Sequence, residues 1–153
     1  MSSKQIEEFL REKAGTASPG IDWTAKRDAW IKAVEDLYGM ISNQYLGLES
    51  AAVKDIVTVD RTRVKSMQEP HIGKYSIPEL ILTVGGEQVF FSPKGVNVVG
   101  AEGRVDVRSD RGEAILVRQS GDHWSLVISR TPKLQLLPLD EGSFLGMLRI
   151  VML

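Results

Sequence analysis

"RVDVRSDRGEAILVRQSGDHWSLVIS", Arg104 to Ser129, decides the fold, because two glycine-bearing turns cut it into three short β-rich runs. "RVDVR", "EAILVRQS" and "HWSLVIS" are rich in the branched and aromatic residues that suit a pleated sheet. Read as a three-residue loop, Asp110-Arg111-Gly112 puts Gly112 in the left-handed position of a G1 bulge. Val107 then faces Ile115, and Val105 faces Val117. A two-residue turn at Gly121-Asp122 sets Ile115 against Ile128, Val117 against Leu126, and Gln119 against Trp124. Both registers place Val105, Val107, Ile115, Val117, Trp124, Leu126 and Ile128 on one face, which is expected to carry the core beneath helices.

The opposite face of this meander then holds Arg104, Asp106, Arg108 and Arg118 around Leu116 and Val127, with Ser125 and Ser129 nearby. Two readings stand side by side. Such a face is commonly a solvated one, with cross-strand ion pairs contributing about 0.2–1 kcal/mol each. Arginines around an apolar centre also match the composition of protein interfaces. Arg104, Asp106, Arg108, Leu116, Arg118 and Val127 are therefore the candidate partner face.

Upstream, Gly95, Gly100 and Gly103 raise the question of a phosphate-binding loop. The five-residue offset from Gly95 to Gly100 fits, but Ala101-Glu102 stand where a Lys-Ser/Thr pair belongs. Glu102 would repel a phosphate. The strand-like "RVDVR" after Gly103 also fails the dinucleotide pattern, which needs a helix there. The glycines read as corners of a sheet. Gly85-Gly86, between "IPELILTV" and "EQVFFS", is the strongest hairpin signal. "SPKG" suits a type I turn and "VNVV" another short strand. From Ile56, "IVTVDRTRVKSM" reads as one long edge or solvent-facing strand, and "QEPHIGKYS" as a loop.

The first third is helical. Ile6, Phe9, Leu10 and Lys13 share a face of a first helix, with Ser2 and Gln5 spaced for a capping box. "GTASPG" ends it. Asp22 is a good N-cap for a second helix running to about Gly47, whose apolar stripe is Trp23, Trp30, Val34, Leu37, Ile41 and Leu48. The two tryptophans read as core anchors. After "RTPKLQLLPL", a last strand broken by Pro138, Asp140 caps a closing helix with Phe144, Leu145, Leu148, Val151 and Met152 on one face.

The 153 residues suit a single domain able to bury its own core, and the composition is ordinary for a globular chain. No cysteine is present, so disulfides, thiolate ligands and a cysteine nucleophile are excluded. A net charge of −1 without a basic run argues against a nucleic-acid partner. The opening "MSSKQIEEFLREK" lacks the apolar stretch of a secretory signal. "FLGMLRIVML" falls well short of the ~20 residues a spanning helix needs, so no membrane partner is expected. The expected location is cytoplasmic. His71 in "EPHIGK" and His123 at a strand start are the two histidines, without helical zinc spacing. No metal or cofactor is expected, no G-x-S-x-G elbow occurs, and the reading leans away from an enzyme. His71 beside Glu69, or His71 with His123, is the alternative ligand site.

"FFSPKGVNVVGAEGRVDV", "HWSLVIS" and "DEGSFLGMLRIVM" together resemble small uncharacterised bacterial α+β proteins, a group whose build includes immunity-type inhibitors of bacterial toxins. The resemblance spans about Phe90 to the end, implies a bacterial origin, and transfers no active site. The expected fold is a single α+β domain over residues 1–153, helical to residue 50, mainly β over 55–139, with a terminal helix over 140–153. It comprises two N-terminal helices, a curved antiparallel sheet or partial barrel of six to eight strands, and a C-terminal helix. The expected function is a non-catalytic protein-binding module, an inhibitor or immunity-type protein acting by occlusion among its forms. Its protein partner is not identified by the sequence, and it would be a monomer or small homo-oligomer. The alternatives are a small-ligand binder or hydrolase with a cleft near His71 or His123, and an accessory structural subunit of an oligomer.

Overall fold

A computed structural model describes residues 5–7, 10, 21–47, 50–96, 101–120 and 123–153. Helix α1 spans Trp23–Met40, opened by the Asp22 carboxylate accepting from the Ala25 N–H at 3.0 Å. It runs on into a π-helical turn, Ile41–Tyr45, where Ser42 returns its hydroxyl to the Tyr38 carbonyl. Gly47 then takes a positive φ of 61°, and a short helix α2 follows at Ala51–Lys54. Strands β1 (Val57–Asp60), β2 (Val64–Glu69), β3 (Gly73–Pro78), β4 (Leu80–Val84) and β5 (Glu87–Gly95) come next. After them come β6 (Arg104–Arg108), β7 (Glu113–Ser120), β8 (His123–Ser129) and β9 (Gln135–Pro138), then helix α3 (Glu141–Met152).

The chain is α+β, with one antiparallel seven-stranded sheet in the order β1-β4-β5-β6-β7-β8-β9. The pair β2–β3 forms its own two-stranded sheet, inserted between β1 and β4. The large sheet stays open, with β1 and β9 as edges, so no barrel closes. One long N-terminal helix is described where two were expected. Of the first, Gln5–Glu7 and Leu10 are helical, and its remaining residues lie outside the described part. The stretch read as a single edge strand from Ile56 is two strands. Asp60 folds back between them, accepting from the Thr62 N–H at 2.8 Å and the Thr62 hydroxyl at 2.6 Å. The expected loop "QEPHIGKYS" is the tip and return of the β2–β3 hairpin. "SPKG" continues β5 into a bulge at Pro93–Gly95 rather than turning. "VNVV" lies largely outside the described residues.

Other readings match. Gly85 and Gly86 have φ of 56° and 87°, and Val84 pairs with Glu87, as a two-residue type I′ hairpin requires. Asp140 caps α3 in a capping box completed by Ser143. Both long helices cover one sheet face, and the core lies between. Trp30, Val34, Leu37, Tyr38 and Ile41 of the α1 region meet Leu80, Leu82, Val89, Phe91, Val105, Val107, Leu116 and Leu126, all buried. Trp30 and Trp124 pack with ring centroids 5.9 Å apart. The Tyr38 hydroxyl donates to the Pro78 carbonyl at 3.0 Å, and burial pushes this phenol far above its ordinary range. From α3, Phe144, Met147 and Val151 are buried. Leu145 is exposed and Leu148 and Met152 only partly covered, so the apolar face is rotated from the expected one.

Candidate functional site: the helix-free sheet face

Where β6, β7 and β8 pair, the expected register is off by one residue. Val105 faces Leu116, Val107 faces Ala114, and Arg108 faces Glu113. The turn is a four-residue loop, with the Ser109 N–H donating to the Gly112 carbonyl at 3.0 Å. Gly112 is not a left-handed bulge residue. It is small because a Cβ there would press on the Ile150 backbone of α3. On the other side Ser120 pairs with His123, as a two-residue turn predicts, but a bulge between Arg118 and Ser120 shifts the rest. Gln119 is the extra residue, and its side-chain oxygen accepts from the Ser125 hydroxyl at 2.9 Å. Leu116 therefore faces Leu126, and Arg118 faces Trp124.

A slip by one residue exchanges the two faces of a strand. Leu116 and Arg118, expected on the partner face, lie on the helix side, and both are buried. Their places on the free face are taken by Ile115 and Val117, which were expected in the core. Arg104, Asp106, Arg108 and Val127 remain on the free face, as expected. Arg104 and Arg118 thus occupy opposite sides of the sheet, and the original six-residue cluster does not form as one surface.

What forms instead is a groove across β6, β7 and β8. One part, about 390 Å3, is lined by Arg104, Asp106, Arg108, Glu113, Ile115 and Arg130 among others. A second, about 380 Å3, shares Arg104, Ile115, Val127 and Arg130, and adds Val117 and Leu134. The floor is apolar and the rim is charged. Arg104 binds the Asp106 carboxylate through Nε at 2.6 Å and Nη2 at 3.3 Å, a two-pronged contact that pins its guanidinium along the strand. Arg108 meets Glu113 at 3.4 Å with both side chains well exposed, a pair of small energetic weight. Arg130, from the end of β8, makes no ion pair or side-chain hydrogen bond among the described residues. Three arginines against two carboxylates leave the rim net positive.

The two histidines are not brought together. His71 sits at the β2–β3 tip with a φ of 67° and stacks on Trp23, their centroids 4.9 Å apart. His123 is exposed at the start of β8, and no hydrogen bond or ring contact joins the two. Glu69, read as a possible companion of His71, points inward instead. Its carboxylate accepts the Val96 N–H at 2.9 Å and the Tyr75 hydroxyl, tying the hairpin to the end of β5. Gly95, with φ 138°, leaves room that a Cβ would take from this carboxylate. Nothing in "VKSMQE" marks Glu69 as buried, and only the contacts with Val96 and Tyr75 place it. No group of three metal-ligating side chains occurs among the described residues. No helix of the described residues is long and apolar enough to cross a membrane.

No protein-family model, curated protein or solved structure matches this chain.

Proposed function

We propose that the protein is a non-catalytic binding module that takes a segment of a partner protein into the groove on its helix-free sheet face. The supporting observation is the combination of apolar floor and arginine rim across β6–β8, with Arg130 unpaired among the described residues. A sheet face turned to water is ordinarily polar at alternate positions. Here Ile115 and Val127, both half-buried, occupy those positions on adjacent strands beside the buried Val117. An interface of that composition gains from desolvating the floor, while the arginines supply directional bonds at the rim. The fitting partner segment carries a carboxylate beside apolar side chains, and binding occludes that segment from other contacts. An inhibitor or immunity-type role in a bacterial cytoplasm is one use of such a face.

The test is selection from a displayed random-peptide library on the wild-type protein, counter-screened on an Arg104→Glu, Arg108→Glu, Arg130→Glu variant of unchanged circular dichroism. Enrichment of peptides pairing an acidic residue with apolar ones, bound by the wild type and not by the variant, is the expected result. Peptides bound equally by both, or no enrichment, would overturn the assignment. Arg118→Glu is not a suitable substitute, because that side chain belongs to the buried face.

A further inference from the structure

Helix α3 turns one side to the core and leaves a self-complementary side exposed. At 100° per residue, buried Ser143, Phe144, Met147 and Val151 span one arc. The opposite arc holds Glu141, Gly142, Leu145, Gly146, Arg149 and Leu153. Leu145 is 48% exposed and Leu153 84%, with Ile150 at 53% on the border. Isolated exposed leucines need no explanation, and what singles this side out is the order of charges around Leu145. Glu141 and Arg149 lie one helical turn either side of Leu145 on the same stripe. Neither makes a salt bridge or side-chain hydrogen bond among the described residues.

We propose that this stripe is the contact between two copies of the chain, their α3 helices packed antiparallel about a two-fold axis near Leu145. A two-fold axis requires each residue i to meet j while j meets i. An antiparallel pair centred on Leu145 sets Glu141 of one copy against Arg149 of the other, and the reverse. The charges match at both ends, and Leu145 meets its own copy in the middle. An order of acid, leucine, base at four-residue steps is self-complementary in the antiparallel sense, whereas a parallel in-register pair would set like against like. Gly142 and Gly146 lie toward the same side, and beyond its chain neighbours and its own helix backbone no atom of the described residues lies within 4 Å of where a Gly146 Cβ would be. The dimer leaves both grooves free, since α3 packs on the covered face of β7 and the grooves open on the other. Two grooves per assembly would favour bivalent partners.

One helix of 12 residues is a small interface, so the equilibrium is expected to be concentration-dependent. Sedimentation velocity of the full chain, from low micromolar to about 1 mM, should show monomer giving way to dimer. Glu141→Arg and Arg149→Glu should each weaken self-association roughly tenfold or more, because each places like charges together at both ends. An equimolar mixture of the two variants restores both opposite-charge contacts in the mixed pair, and should recover the wild-type dimer. Recovery in the mixture alone is the diagnostic result. Wild type that stays monomeric throughout, or single variants that dimerise like wild type, would overturn the proposal. If either charge variant fails to fold by circular dichroism, exposed Leu145→Asp takes its place, and a folded Leu145→Asp that still dimerises would equally refute it.

Discussion

Replacing Leu116 and Ile115 separately by alanine measures directly which of two neighbouring side chains faces the core. Leu116 is fully buried opposite Val105 and Leu126, on the strand that α3 packs against. Leu116→Ala removes about three carbons at ~0.8 kcal/mol each, or ~2.4 kcal/mol, before any cavity forms. The residual void adds roughly another 1 kcal/mol where the surroundings relax only in part. The expected loss is therefore about 3 kcal/mol, equivalent to a fall in Tm of about 6–12 °C for a domain of this size. Ile115 is half-buried in the open groove, where water fills whatever the truncation vacates. Its loss should be about 1 kcal/mol. Urea titrations followed by circular dichroism, with m-values compared, give both numbers. If Ile115→Ala cost more than Leu116→Ala, the register with Ile115 inside would be the true one. The groove would then lose its floor.

Gly103→Ala should destabilise by about 1–3 kcal/mol, because the added Cβ overlaps the ring of fully buried Trp30. Tryptophan emission should shift with it as the Trp30–Trp124 contact opens, and an unchanged spectrum and Tm would contradict that close approach. Asp140→Ala should lower Tm near neutral pH by removing the α3 cap. The Ser143 backbone N–H holds the Asp140 carboxyl below its usual range, against a smaller opposing effect of desolvation. A folded-state pKa lower than the unfolded one stabilises the protein above the unfolded value, and that stabilisation disappears as pH falls through the folded value. The gap in Tm between wild type and Asp140→Ala should accordingly be full above the carboxylate range and shrink at acid pH. A gap independent of pH would refute the capping role.

The parts of this fold legible from residues alone are those set by short-range physics. Asp22 and Asp140 announce helix starts through their own backbone contacts, and Gly85-Gly86 imposes its hairpin because positive φ suits glycine at both turn positions. The apolar period of α1 marks Trp30, Val34, Leu37 and Ile41 as core. Asp60 and Thr62, which break the expected long strand, used an equally local signal that the β-branched run around them masked.

The candidate face was legible in part. Arg104, Asp106 and Arg108 alternate with Val105 and Val107, so their side of β6 follows from the pattern itself. On β7 the pattern is silent, because Ala114, Ile115, Leu116 and Val117 are all apolar and either alternate pair can face inward. Turn length and a bulge at Gln119 select between them, together with which pair fits beneath the helices. Glu69 shows the same division, since a polar residue at a buried strand position is placed only when Tyr75 crosses the hairpin and Val96 arrives from the end of β5. Sequence by itself determined the α+β class, the helix caps, the Gly-Gly hairpin and the core side of β6. Tertiary structure alone decided the β7 register, and with it the membership of the groove, because the apolar run Ala114–Val117 carries no information about which side will be dry.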